Sequence, residues 1–174
     1  MELILWRHAD AEDGVPDDER RLTALGEKQA QRMAAWLKER LPADAVVLVS
    51  PAQRAQQTAQ ALTGEFQTGS EVGTAATPES VLKAAGWPGR SGTVVVVGHQ
   101  PTLGQAAALA LTGNAAAWSL GKGAIWWLGS RKCGETVVQA VIAPEMVGER
   151  LNRKGARTQR TRVRPPRSPR RPLR

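Results

Sequence analysis

The chemistry of this chain centres on its two histidines, His8 and His99. Arg7 precedes the first of them, and Arg54 lies one helical turn after Ser50, which ends another apolar run. Guanidinium groups are planar, permanently charged and well suited to phosphate oxygens. A neutral imidazole nitrogen can attack phosphorus, and neighbouring cations favour the neutral form. These residue types predict phosphoryl transfer through a histidine nucleophile at an anion-binding site.

Three short apolar runs position these residues. Residues 3–6, 46–49 and 94–97 are rich in branched side chains, which is typical of strands buried on both faces. Helical patterns lie between the runs, so the sequence predicts an α/β fold with a largely parallel sheet. In such sheets, ligands bind at the carboxyl ends of the strands. We therefore expect the residues that follow the three runs to meet at one edge of the sheet.

The predicted helices begin at residues that commonly cap helices. Thr23 is the expected N-cap of a first helix that ends before Pro42. Ser50 is the expected N-cap of a second helix, with Pro51 at its first position and its end near Leu62. The remaining predicted elements are a helix beginning near Pro101, a short helix at 79–85, and strands at 124–128 and 136–142 that form an edge hairpin through a turn at 132–134.

Each candidate residue also has a structural explanation when it is taken alone. A histidine after a strand is often a solvated or packing residue, and Arg54 fits a solvated helix position. Arg7 has several nearby carboxylates with which it can pair. The presence of two histidines at two strand ends, each beside a residue suited to phosphate, favours a functional site over these explanations.

The net charge of +8 is distributed unevenly along the chain. Residues 150–174 contain 11 of the 24 Lys and Arg residues and no acidic residue, which leaves 13 basic and 16 acidic residues in 1–149. We therefore predict a domain at 1–149 and a basic, Arg- and Pro-rich tail at 150–174 whose composition favours disorder. The tail is a candidate for binding nucleic acid or another polyanion. The alternative is an extension without function, encoded by GC-rich DNA.

Composition excludes several classes of protein. One cysteine, Cys133, permits no internal disulfide and fits a reducing compartment. The apolar runs are far shorter than the roughly 18 residues of a membrane span, and the N-terminus lacks the features of a signal peptide. We therefore expect a cytoplasmic protein. Two histidines and one cysteine give no tight ligand cluster, so the sequence predicts neither a metal site nor another cofactor.

Four blocks of the sequence resemble the histidine phosphatase superfamily, most closely its small bacterial branch, the SixA-like phosphohistidine phosphatases. The blocks come in the family's order and at its usual separations, and the resemblance covers about residues 1–147. They are 7–11 (RHADA), 20–23 (RRLT) followed by Gly26, 50–59 (SPAQRAQQTA) and 97–101 (VGHQP). The resemblance implies a three-layer α/β/α sandwich of the phosphoglycerate-mutase type, without the large cap that some members carry.

The resemblance also implies catalytic roles. His8 matches the nucleophile that becomes transiently phosphorylated, and Arg7, Arg54 and His99 match the rest of the phosphate pocket. The implied activity is a metal-independent hydrolase that removes phosphate from phosphohistidine on a partner protein, such as a histidine-containing phosphotransfer domain. A small phosphomonoester, such as a sugar or nucleotide phosphate, is the alternative substrate for the same chemistry.

Four further residues are candidates for the site or its border. Arg20 matches an arginine that in this branch can reach the bound phosphate. Arg21 replaces the proline that usually follows it, which leaves open which of the two arginines faces the site. Ser50 is a candidate for substrate binding because of its place at a strand end, and Asp10 is a candidate for the catalytic acid because it is one of the nearest carboxylates in the sequence.

Overall fold

One sheet divides the molecule into three layers. The computed structural model describes residues 1–131 and 134–148. Within them the strands are β1 (Glu2–Arg7), β2 (Val46–Val49), β3 (Gln67–Thr68), β4 (Thr93–Gly98), β5 (Ile125–Ser130) and β6 (Thr136–Ile142). The helices are α1 (Ala24–Lys38), α2 (Gln53–Leu62), α3 (Pro78–Ala85) and α4 (Thr102–Thr112).

The strands follow the order β3-β2-β4-β1-β5-β6 across the sheet. The first four of these are parallel. Strand β5 runs antiparallel to β1, and β6 runs antiparallel to β5, so β5 and β6 form a hairpin at one edge. The predicted α/β/α sandwich, its mostly parallel sheet and its edge hairpin are therefore confirmed. Residues 132 and 133 of the predicted turn, and the predicted tail at 150–174, lie outside the described residues.

The apolar runs are continuous because both faces of the central strands are buried. Ile4 and Trp6 of β1 pack in the layer of α1 and α2, while Leu3 and Leu5 pack in the layer of α3 and α4. All four side chains have no exposed surface. The rigid centre of the sheet thus holds the residue that follows β1 in a fixed position.

The start of α1 agrees with its prediction. The Thr23 hydroxyl accepts a hydrogen bond from the backbone N–H of Gly26 at 3.0 Å, as an N-cap does. Gly26 lies so close to the loop after β1 that a Cβ at this position would overlap the carbonyl oxygen of Asp10. The glycine therefore allows α1 to pack against the segment that follows His8.

The predicted start of α2 is wrong. Helix α2 begins at Gln53 with Ala52 as its N-cap, so Ser50 is not a cap and Pro51 is not the first helical residue. The hydroxyl of Ser50 is used instead by His99, a residue distant in sequence that no local pattern reveals. The two-residue strand β3 is also absent from the predictions, because Gln67 and Thr68 are polar and exposed and give no apolar signal.

Candidate active site

The carboxyl ends of three neighbouring strands deliver the candidate residues to one edge of the sheet. Strands β2, β4 and β1 are adjacent, and Ser50, His99 and His8 directly follow them. Arg54 lies in the first turn of α2. The rings of His8 and His99 have centroids 5.2 Å apart. The structure therefore brings together the residues that the strand pattern places at one edge.

His8 is oriented so that one ring nitrogen faces the basic residues. Its Nδ1 lies 2.8 Å from the carbonyl oxygen of Ala9, which only accepts hydrogen bonds, so Nδ1 carries the proton. Its Nε2 accepts a hydrogen bond from Nε of Arg54 at 3.3 Å. Both contacts fit the same neutral tautomer, in which Nε2 has a free lone pair. This is the state that a nucleophilic histidine requires.

His99 is held between Arg54 and Ser50. Its Nδ1 lies 3.4 Å from Nη2 of Arg54, and since a guanidinium only donates, Nδ1 accepts. In a neutral ring, Nε2 then donates to Oγ of Ser50, 2.7 Å away. Ser50 is fully buried, and its hydroxyl also accepts from the backbone N–H of Ala52. The structure thus places Ser50 where it orients His99 and does not favour its expected role in binding substrate.

Arg7 and Arg54 direct hydrogen-bond donors at the same space. Arg54 is 4% exposed and contacts both histidines. Arg7 donates from Nη1 to the carbonyl oxygen of Leu120 at 2.7 Å. Its Nε is buried and has no hydrogen-bond partner among residues 1–131 and 134–148. A buried donor without a partner is costly, and an anion oxygen bound beside Arg7 would satisfy it.

The same surroundings keep both histidines neutral. Burial lowers the pKa of His8 to about 3, and the neighbouring His99, Arg54 and Arg7 contribute to this shift. The hydrogen bond to the carbonyl oxygen of Ala9 acts in the opposite direction and raises the pKa. Burial and the charge of Arg54 lower the pKa of His99 to about 4. Neither ring is protonated near neutral pH, so Nε2 of His8 is available as a nucleophile there.

We predict that these histidines make the protein lose stability in mild acid. The unfolded chain binds protons at an ordinary histidine pKa near 6.5, whereas the folded rings stay neutral to about 3 and about 4. The histidine contribution to stability is therefore complete above pH 6.5 and is lost as the pH falls from there. The slope is at most about 1.4 kcal/mol per pH unit for each histidine. Urea unfolding between pH 7 and pH 5 measures it.

The control for this prediction is the variant His99→Gln, which removes one of the two titrating rings. Its free energy of unfolding should depend less steeply on pH over the same interval. A wild-type stability that stays constant between pH 7 and pH 5 would contradict the prediction.

The histidines and arginines border a cavity of about 310 Å³. A larger groove of about 540 Å³ lies against the outer face of α1 and contains neither histidine. The smaller cavity is the candidate site because it combines the two neutral histidines with several cations. Its lining residues are Arg7, His8, Ala11, Asp17, Arg20, Arg54, Thr74, His99, Gln100 and Lys122.

The structure distinguishes Arg20 from Arg21. Arg20 lines the cavity, and its guanidinium is bound to acceptors of its own loop: Nε donates to the carbonyl oxygen of Glu12, and Nη1 pairs with Asp17 at 2.9 Å. Arg21 is exposed and is not among the lining residues. Arg20 is therefore the arginine that faces the site.

Asp10 does not have the surroundings of a catalytic acid. Its carboxylate pairs with Lys122 and accepts a hydrogen bond from the hydroxyl of Thr23 at 2.7 Å. These hydrogen bonds hold the pKa of Asp10 below its usual value. A carboxyl group that is ionised at neutral pH and paired with lysine is a poor proton donor, so the geometry does not favour the expected role of Asp10.

The cavity contains two charged residues, Asp17 and Lys122, that the sequence does not identify as candidates for binding. Lys122 precedes β5, and because β5 is antiparallel to β1, the start of β5 lies at the same edge as the end of β1. That antiparallel pairing is the signal that would have identified it. Asp17 gives no such signal, because it is one of several acidic residues in a loop whose path depends on tertiary contacts.

Metal-binding clusters and membrane-spanning helices are both absent from the described part of the chain. It contains no group of three His, Cys, Asp or Glu residues that could hold a metal ion. None of its helices has the length and apolar character needed to cross a membrane.

The sequence matches known proteins over most of the described domain. The sequence model of the histidine phosphatase superfamily (branch 1) matches residues 3–75. An uncharacterized protein of Mycobacterium tuberculosis is 36% identical over 106 residues, a match that covers 55% of this chain and 63% of that protein. The chain thus aligns with less than two thirds of the length of this relative.

The fold is similar to solved structures of SixA. The protein histidine phosphatase SixA complexed with tungstate has 26% identity and a TM-score of 0.70, covering 83% of this chain and 97% of that chain. A second SixA structure, from Nakamurella multipartitia, has 27% identity and a TM-score of 0.68, covering 82% and 95%. The family match and the similarity to solved structures agree: this chain belongs to the histidine phosphatase superfamily and is SixA-like.

Proposed function

We propose that the chain is a phosphatase that removes phosphate from phosphohistidine on a partner protein, through a phosphorylated His8. The orientation of His8 carries this proposal. Its Nδ1 is bound to the carbonyl oxygen of Ala9, and its unprotonated Nε2 lies beside Arg54. The buried, unpartnered Nε of Arg7 supports an anionic substrate at the same place.

In the first step, the lone pair of His8 Nε2 attacks phosphorus and forms a P–N bond. The bond between phosphorus and the substrate nitrogen breaks, and the protonated substrate imidazole leaves as a neutral ring. The guanidinium groups of Arg7 and Arg54 stabilise the charge on the transferring oxygens. His99 polarises the phosphoryl group through the nitrogen that faces Arg54.

In the second step, water attacks the phosphoryl group on His8. The P–N bond breaks, its electron pair returns to Nε2, and inorganic phosphate leaves with the oxygen and both protons of the water, as dihydrogen phosphate. Nδ1 remains bound to Ala9 throughout, so the ring returns to the tautomer from which it began.

The carboxylates near the cavity support phosphohistidine as the substrate. Asp17 lines the cavity, but its hydrogen bonds to Arg20 and Arg54 hold its pKa below the usual value. Asp10 is held ionised in the same way by Lys122 and Thr23. An alkyl phosphate needs a proton donor for its leaving oxygen, whereas the second ring nitrogen of phosphohistidine can already carry a proton, so that the imidazole leaves as a neutral ring. A site with such carboxylates therefore suits phosphohistidine better than an alkyl phosphomonoester.

The proposal predicts a strong dependence on the leaving group. General acid catalysis contributes about 10²–10⁴-fold, and we expect alkyl phosphates to react more slowly than phosphohistidine by a factor in this range. The assay compares a phosphorylated histidine-containing phosphotransfer domain with phenyl, sugar and nucleotide phosphates, all in the presence of a chelator. Initial rates of phosphate release are measured at equal substrate concentration.

High turnover of one sugar or nucleotide phosphate would contradict the proposed substrate and would favour a small-molecule phosphatase. Loss of all activity in chelator would contradict a metal-independent reaction.

Binding of nucleic acid or another polyanion through residues 150–174 stays a separate prediction. It is tested by deleting those residues and measuring binding at low and high salt.

A further inference from the structure

The guanidinium of Arg54 is bound along two different edges. On the inner edge, Nε and Nη2 face the ring nitrogens of His8 and His99 at 3.3 and 3.4 Å. On the outer edge, Nη1 donates to the backbone carbonyl oxygen of Asp17 at 2.5 Å, and Nη2 donates to Oδ2 of Asp17 at 2.7 Å. Asp17 therefore binds a different edge of the guanidinium from the one that faces the histidines, and the two edges share Nη2.

The lengths of these contacts indicate which of them persist when an anion binds. The inner contacts are long for hydrogen bonds, and a phosphate oxygen would replace them with shorter, charge-assisted ones. The outer contacts already have the short distances of charge-assisted bonds. The outer edge is thus the one that fixes the guanidinium, and the inner edge is left for the ligand.

The loop that carries Asp17 is fixed at both of its ends. The backbone N–H of Asp10 donates to the side chain of Gln29 at 2.9 Å, and that of Leu22 donates to the side chain of Gln57 at 2.8 Å. Ala11 and Leu22 also pair as an antiparallel bridge across the base of the loop. These contacts limit how far the loop can move away from Arg54.

Arg20 binds the other oxygen of the same carboxylate. Its Nη1 pairs with Oδ1 of Asp17 at 2.9 Å, and its Nε donates to the carbonyl oxygen of Glu12 at 2.6 Å. The Asp17 side chain is 55% exposed, so its pairing with Arg20 would contribute little to overall stability. Its effect is local, because the carboxylate is held by one arginine while it holds another.

We infer that Asp17 is a positioning residue, which holds Arg54 by its outer edge so that the inner edge points between the two histidines. Arg20 acts through Asp17 and does not itself bind phosphate. This inference rests on the proposed function, in which Arg54 binds the transferring phosphoryl group. The alternative is that the carboxylate of Asp17 competes with phosphate for Arg54 and must dissociate from Arg54 before phosphate binds. The two roles predict opposite changes when the carboxylate is removed.

The test compares Asp17→Ala and Asp17→Asn with Glu19→Gln, a matched control that removes a carboxylate from an exposed residue of the same loop. Misplacing a catalytic group by about 1 Å can cost roughly 10²-fold in rate. We expect Asp17→Ala to lose about 10- to 10²-fold in kcat/KM and to bind inorganic phosphate more weakly in calorimetry. Asp17→Asn retains an oxygen acceptor and should recover part of both losses, and Glu19→Gln should resemble the wild type.

The role of Arg20 is tested by a double-mutant cycle. If Arg20 acts through Asp17, Arg20→Ala should weaken phosphate binding in the wild type and have little further effect in Asp17→Ala. Equal losses in both backgrounds would show that Arg20 contacts phosphate directly and would overturn that part of the inference. Tighter phosphate binding by Asp17→Ala, or unchanged binding and kcat/KM, would overturn the role of Asp17.

The binding measurements separate this inference from the proposed function. A protein that hydrolyses no phosphohistidine, yet binds phosphate in a manner that depends on Asp17, would refute the proposed function and support the inference. If the wild type hydrolyses phosphohistidine and the Asp17→Ala variant does so at the same rate, the proposed function would be supported and the inference overturned.

Discussion

Replacing His8 with alanine should lower the rate of phosphate release from phosphohistidine by at least about 10⁴-fold, because the variant has no nucleophile with which to form the phosphorylated intermediate. No other described side chain presents an unprotonated nitrogen to Nε of Arg54 in this way. His99 directs its Nδ1 toward Nη2 of the same arginine, but its Nε2 is committed to Ser50. The measurement is the initial rate of phosphate release from a phosphorylated phosphotransfer domain.

Binding of inorganic phosphate is the control for His8→Ala. The variant keeps the guanidinium groups of Arg7 and Arg54. Because these groups provide the hydrogen-bond donors for an anion, phosphate should still bind. Since the ring is buried in a polar site, thermal unfolding of the variant should also be recorded. A folded, phosphate-binding His8→Ala protein that releases phosphate at the wild-type rate would contradict the assigned nucleophile.

Arg54→Lys should also lower activity strongly, although it keeps the charge. Arg54 contacts His8, His99 and Asp17 at once through two edges of a planar group. A lysine ammonium is a single point donor and does not reproduce that geometry. Removing one donor to a developing negative charge costs about 10²–10³-fold in kcat, and we expect a loss of this size in kcat/KM for phosphohistidine.

Arg40→Lys provides the matched control for this prediction. Arg40 lies on the protein surface over the ring of Trp36, 4.4 Å from its centre, and is not among the residues of the cavity. The control should have wild-type kcat/KM. A second variant, Arg54→Gln, removes a charge that adds to the effect of burial in lowering the pKa of both histidines. The histidine pKa values of Arg54→Gln, followed by NMR, should therefore be higher than those of the wild type. For Arg54→Lys, an unchanged kcat/KM would contradict the role of the guanidinium.

The parts of the fold that follow from local pattern are those that the sequence predicts well. Strands buried on both faces must be apolar along their whole length, so the run at 94–97 locates β4, whose residues Thr93–Gly98 are all buried. The ends of parallel strands meet at one edge, and this rule brings His8 and His99 together without any knowledge of side-chain contacts. The four sequence blocks that resemble the family then imply roles for the residues at that edge.

The parts that depend on tertiary contacts were not predictable in the same way. Ser50 precedes a proline and stands three residues before a glutamine, which is a helix-cap pattern, yet its hydroxyl binds a histidine 49 positions away. Asp17 and Asp18 are adjacent and chemically identical in the sequence, but only Asp17 binds Arg54. The difference arises from the path of the loop, which is fixed by the side chains of Gln29 and Gln57.

The phosphorylated intermediate itself provides the most direct test of the central claim. Wild-type protein is mixed with a phosphorylated phosphotransfer domain in chelator, quenched rapidly and digested at alkaline pH, and the modified peptide is located by mass spectrometry and phosphorus NMR. We predict phosphate on Nε2 of His8, because Nδ1 is bound to the carbonyl oxygen of Ala9. Phosphate on His99, on another residue or on Nδ1 of His8 would contradict His8 Nε2 as the nucleophile.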